Sequence, residues 1–178
     1  IAGSRSGVSD LWIESTPAGG VGLRFTRLHD GYPSNEDSYA SNIFVDKLGE
    51  GATAYGIGDD TQEDVSNVLL TNCTSVGGDN GALTVHMRVG NGASGNVLNI
   101  TNIGGTGAGH QYGLIVNGGS LVSTGLCFGY SSEADIWLRG ASIGAICVSG
   151  GRSENSNRFL ISGLGNQTNL TGSRVRPT

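Results

Sequence analysis

Apolar residues recur along this chain as short pairs with one residue between them, and the pairs fall into two sets. The first set is Leu11/Ile13, Ile43/Val45, Val68/Leu70, Leu98/Ile100, Leu126/Phe128 and Ile146/Val148. The second is Leu23/Phe25, Tyr55/Ile57, Leu83/Val85, Leu114/Val116, Ile136/Leu138 and Phe159/Ile161. A period of two marks a strand with one buried face. The two sets alternate along the chain, each first pair followed by its second at a similar interval. Such self-similarity predicts a repeat architecture in which each unit buries its apolar face on the next.

The residues between the pairs are mostly Gly, Asn and Ser, which bound strands. The segments Asn67–Asn72 and Asn96–Asn102 read as successive copies of one unit. That alignment stacks Asn67 on Asn96 and Asn72 on Asn102 as side-chain ladders. Hairpin signals are few, chiefly Asp79-Asn80-Gly81 and Asn91-Gly92. The expected fold is therefore an all-β solenoid, a parallel β-helix of about six coils, over residues 1–165. At the strand spacing of about 4.8 Å this is a rod roughly 25–30 Å long. Residues 166–178 are polar, lose the pattern, and are expected to cap the last coil or pack on another chain. The alternative is an antiparallel β-sandwich, which short strands bounded by turns also build. The abrupt opening on Ile1-Ala2-Gly3-Ser4 reads as a fragment of a longer chain.

Composition narrows this further. Thirty-two glycines in 178 residues, with three prolines and no G-X-Y period, exclude collagen and fit a chain that turns every few residues. Disorder is excluded by the low charge and by apolar alternations throughout. A net charge of −5 with no basic stripe argues against a nucleic-acid partner. No apolar run is long enough to cross a bilayer, so no membrane partner is expected. Cys73, Cys127 and Cys147 have no metal-ligand spacing and read as small packing residues.

The coil length of roughly 20–32 residues, the short strands and the stacked Asn positions together resemble the right-handed parallel β-helix of the pectate-lyase-like superfamily. The Gly/Ser/Asn/Thr-rich composition is most similar to the β-helix segments of phage tailspikes and tail appendages. That resemblance implies a homotrimer located on a virion or extracellularly. It also implies contact with a cell-surface polysaccharide, by binding or by depolymerisation. A secreted adhesin-like solenoid is the remaining alternative.

Two long excursions, 26–42 and 58–66, fall on adjacent coils and bring acidic residues to one edge. Asp30, Glu36, Asp59 and Asp60 are the candidate catalytic carboxylates, with Tyr32 and Tyr39 nearby as substrate contacts. Glycoside hydrolysis needs two carboxylates about 5 Å or about 6.5–9.5 Å apart, which neighbouring coils offer. Calcium coordination and plain solvation are the competing readings of this acidic edge, and no metal or cofactor is assigned. The opposite corner carries Glu14, Glu50, Asp79, His110, Glu133 with Asp135, and Glu154, an acidic or imidazole group on each coil. On one strand Glu133, Asp135, Trp137 and Arg139 share the face opposite Ile136 and Leu138 and are expected to meet a glycan or a neighbouring chain. His86 and Arg88 alternate with Val85 and Met87 and are expected to face solvent.

Overall fold

The computed structural model describes residues 1, 5–26, 35–58, 65–77, 83–90, 97–158, 160–162, 168–171 and 174–176. Among them the chain is all-β, without helices. The strands run in order β1 (Gly7–Ile13), β2 (Val21–Phe25), β3 (Asn35–Glu36), β4 (Tyr39–Val45), β5 (Thr53–Ile57), β6 (Val65–Ser66) and β7 (Leu69–Thr71). Then come β8 (Thr74–Val76), β9 (Val85–Val89), β10 (Val97–Leu98), β11 (Ile100–Ile103), β12 (Thr106–Ala108) and β13 (Tyr112–Thr124). The last are β14 (Cys127–Gly129), β15 (Ala134–Ser149), β16 (Arg152–Glu154), β17 (Leu160–Ser162), β18 (Thr168–Thr171) and β19 (Arg174–Arg176).

Every strand pairing among the described residues is parallel, which removes the antiparallel sandwich and is compatible with a parallel β-helix. The partners form rows. The first runs Gly7, Tyr39, Leu69, Thr101, Val122, Cys147, Asn169, so each strand pairs with its counterpart one repeat further on. The second runs Ile13, Val45, Ser75, Gly107, Phe128, Ser153, Val175. The third runs Leu23, Tyr55, Met87, Leu114, Ile136, Leu160. A short fourth row joins Asn35, Val65 and Val97. The polar segment after 165 does not lose the pattern, because β18 and β19 extend the first and second rows.

The apolar pattern therefore understates the rows. Its first set merges two of them: Ile43/Val45 and Leu126/Phe128 belong to the second row, Val68/Leu70 and Ile146/Val148 to the first. One residue in left-handed conformation separates these rows at most levels, Gly104 and Gly105 both having positive φ at theirs, and an alternation search is blind to so small a turn. At that corner Asp10, Asn42 and Asn72 have φ of 56°, 54° and 52°, and Gly104, Gly125 and Gly150 continue the column at 67°, 71° and 61°. Asx and Gly residues tolerate this conformation best. The Asx side chains also bond along the column. Asn72 Nδ2 donates to Asn42 Oδ1 at 3.0 Å and Asn42 Nδ2 to Asp10 Oδ1 at 3.0 Å. A second ladder sets Asn99 Nδ2 on Asn67 Oδ1 and Asn67 Nδ2 on Asp37 Oδ1, both at 3.1 Å. Asn ladders thus exist, but with other partners than expected: Asn67 meets Asn99, Asn72 meets Asn42, and Asn102 is buried. Two apolar pairs are likewise out of register, since Leu98 and Leu83 are 46% and 47% exposed. Asn102 and Met87 take the interior levels there instead.

The core fills the space between the rows. Phe25, Tyr55, Ile57, Met87, Leu114 and Leu138 from the third row are fully buried, as are Ile43, Leu70 and Ile100. Where the second and third rows meet, large faces small at successive levels. A Cβ on Gly22 would lie 2.8 Å from Val45 Cγ1, and one on Gly107 2.7 Å from His86 Cγ. A Cβ on Gly113 would overlap the Phe128 ring. Such interdigitation leaves no freedom of register, because a slip sets large against large.

Candidate functional site

The third row positions the most developed surface constellation. On these neighbouring strands Tyr112 pairs with Ala134 and Ile115 with Trp137, so the Tyr112 and Trp137 side chains lean towards each other across three residues of strand. Their rings stack with centroids 4.7 Å apart and 30° between planes. Two positions on, the Arg139 guanidinium lies 5.1 Å from the Trp137 centroid. A stacked pair is worth about 0.5–1.5 kcal/mol beyond its burial, and the cation–π contact about 0.5–1 kcal/mol at such a site. Tyr112 also responds to its charged neighbours. Partial burial raises the pKa of its hydroxyl, the Glu133 charge raises it further, and Arg139 and Arg158 draw it back. Glu133, Trp137 and Tyr112 are half-buried, Arg139 and Arg158 exposed. Chemically this is an aromatic rim flanked by two guanidinium groups and one carboxylate. Tyr112, absent from the sequence-derived set, comes from the neighbouring strand.

Asp135 does not belong to this face. It is fully buried, accepting from Ser131 Oγ at 2.7 Å and from Ser153 Oγ, so its expected outward position is corrected. The reason is geometric: the level of Ala54, His86, Gly113 and Asp135 packs against the second row instead of facing solvent. A carboxylate at that level needs polar partners, and Ser153 across from it supplies one.

His86 sits at the same level and is corrected likewise: it is buried, not solvated. Ser75 Oγ lies 2.7 Å from His86 Nδ1 and 2.9 Å from His110 Nε2, and His110 Nδ1 lies 3.3 Å from Thr84 Oγ1. His86 Nε2 is buried without a partner. Burial holds both imidazoles neutral: His86 well below its ordinary value with His110 adding to the effect, His110 down to about 4. Tyr55 completes the cluster, its one hydroxyl proton lying between Ile43 O at 2.9 Å and Thr74 O at 2.5 Å, its ring 5.2 Å from His86. This is a closed polar core with no open coordination position or reactive group at the surface.

Among the described residues, which leave out Asp79, the expected acid or imidazole ladder does not form. Glu14, Asp46, Val76, Ala108, Gly129 and Glu154 share one level, and His110 is interior. Of the acidic edge, Glu36 and Tyr39 are exposed strand residues, whereas Asp30, Tyr32, Asp59 and Asp60 lie outside the described residues. Flanking strands pair Phe25 with Ile57 and Asn35 with Val65, so the two excursions leave and return side by side. Asp37 beside Glu36 pairs with Arg5 at 3.8 Å. Tyr39 lies over Gly7, where a Cβ would overlap its ring.

A second aromatic feature leaves no signal in the alternation pattern. Trp12, 65% exposed, and its register partner Phe44 stand 6.2 Å apart at 59°. With Asp10, Leu11 and Asn42 they line an open groove of about 460 Å³. Among the described residues no group of three or more His, Cys, Asp or Glu is placed to hold a metal ion. No protein-family model, curated protein or solved structure matches the chain.

Proposed function

We propose that this protein is a right-handed parallel β-helix of about six coils. In this reading it serves as the rod of a surface appendage, most like the tail appendages of phages, and binds cell-surface polysaccharide as a homotrimer. The observation that carries the proposal is the Tyr112–Trp137 stack with Arg139 over it, held on the outside of paired strands. Aromatic rims receive the apolar faces of sugars, and rigid sheet rows hold such a rim in place, which keeps the ordering cost of binding small. Glu133 and Arg139 supply hydrogen-bonding groups for hydroxyls beside it.

A depolymerase is the second reading. It is favoured by one feature, the pairing on both sides of the two acidic excursions, which starts and ends the segments bearing Asp30, Glu36, Asp59 and Asp60 next to each other. One experiment separates the two. The protein is incubated with a broad panel of bacterial surface polysaccharides, and retention and new reducing ends or unsaturated products are measured together. Retention without products supports the binding rod, and products abolished by Asp59→Asn with Asp60→Asn support the enzyme. Neither retention nor products would overturn both. Sedimentation at micromolar concentration tests the trimer, which a monomer refutes.

A further inference from the structure

Charge is distributed unevenly along the chain. Residues 1–79 carry twelve Asp/Glu against four Lys/Arg, whereas residues 80–178 carry three against six, together the fifteen and ten of the whole chain. Nine of the ten cations are arginines, Lys47 being the exception. In the later half two of the three acids are already engaged: Asp135 is buried on two serines, and Glu154 binds Arg152 at 2.6 Å. Arg5, Lys47 and Arg152 have acidic partners, but among the described residues Arg139 and Arg158 form no ion pair. Arg139 lies over the Trp137 ring, and Arg158 accepts at its backbone oxygen from Asp135 N at 2.9 Å, beside the Ala134 that pairs with Tyr112. Glu133 alone opposes them.

From this we infer that the Tyr112–Trp137 rim takes a carboxylated saccharide, a uronic or sialic acid type unit, with Arg139 and Arg158 receiving the carboxylate. The inference rests on the polysaccharide reading above and names its substrate class. The Arg139 guanidinium lies 5.1 Å from the Trp137 centroid and is exposed, so its N–H groups are within reach of a ligand on the rim. A planar guanidinium fork matches a carboxylate with two parallel bonds. The sugar ring then lies against the rim of the aromatic pair. Elsewhere the acidic first half repels an anionic chain, and screening over about 8 Å at physiological salt keeps that repulsion from reaching the patch.

The test uses the full chain on immobilised hyaluronan and alginate, each beside its carboxyl-reduced counterpart, with sulfated dextran as a charge control. The expected result is retention of both carboxylated glycans and about tenfold weaker retention of the reduced forms and of sulfated dextran. Arg139→Gln and Arg158→Gln each lower affinity for the carboxylated glycan about tenfold, a larger loss than for the reduced form, and leave the thermal midpoint within a few degrees of the parent. Equal binding of carboxylated and reduced forms overturns the inference while leaving polysaccharide binding intact. Equal binding of sulfated dextran reduces it to bulk charge and also overturns it. No retention of any glycan overturns the inference together with the reading beneath it.

Discussion

Acidification from pH 7 to pH 5 should cost this protein about 2 kcal/mol of stability, and more in total, because two buried imidazoles must take up protons. His110 is held neutral down to about 4 by burial, against an ordinary value of 6.5. A folded pKa below the unfolded one means that unfolding takes up a proton, so the stabilisation is complete above about pH 6.5 and declines as pH falls towards 4. For His110 alone the loss is about 2 kcal/mol at pH 5 and about 3 kcal/mol at pH 4. His86, shifted in the same direction, adds to it. Asp10 and Glu14 are depressed by Asn42 and Lys47, so their contributions fade only below their ordinary values of 3.8 and 4.5 and leave the window from pH 7 to 5 to the histidines. Urea unfolding at pH 7, 6 and 5 reads the effect, against a total stability of about 5–15 kcal/mol for a typical domain. His110→Gln should weaken the fold at pH 7 and flatten the slope. Stability constant within about 0.5 kcal/mol from pH 7 to 5 would refute the reasoning.

Four further outcomes are expected. Asn42→Ala loses the bonds to Asp10 and Asn72 and places a Cβ-bearing residue without a side-chain amide at φ 54°, for a cost of about 2–3 kcal/mol by denaturant unfolding. Asn42→Gly keeps the turn and should cost less; equal losses would refute the strain argument. Gly113→Ala drives a methyl into Phe128 and should cost about 1–3 kcal/mol, partly recovered in the double variant with Phe128→Leu, and additivity of the two would count against that contact. Cys73 is buried with its thiol pushed up to about 11, whereas Cys127 and Cys147 are half-buried. A maleimide at pH 8 should therefore label two thiols in the native protein and three after unfolding, and rapid labelling of three would show the core to be open. Trp137→Ala should abolish glycan retention while changing the thermal midpoint by only a few degrees; unchanged retention would remove the rim from the site.

The parallel all-β class was legible because alternation and recurrence are written in the chain at regular intervals. Leu23/Phe25 with Tyr55/Ile57, and Leu114/Val116 with Ile136/Leu138, pair as the spacing requires. Alternation alone reads three rows as two, because a corner consisting of Asp10 or Asn42 by itself does not interrupt the pattern. Polar interior residues hid the rest. Asn102, His86 and Asp135 look like surface residues by type, and only the serines brought to them from other strands make burial tolerable. At the candidate site Trp137 and Arg139 were legible as alternate residues of one strand. Tyr112 lies on the preceding strand of the row and meets Trp137 only in the folded arrangement, which local sequence does not carry.

Both amide ladders run donor to acceptor towards the N-terminal side, and each ends on an aspartate, Asp10 or Asp37. A carboxylate accepts but has no N–H to pass on, so Asp acts as a stop sign while Asn is a link that can be repeated. Lengthening of the rows by duplication is accordingly directional. An extra unit copied from the Asn42-to-Asn72 stretch splices into the relay without a break, whereas a copy bringing Asp10 or Asp37 into the middle severs it.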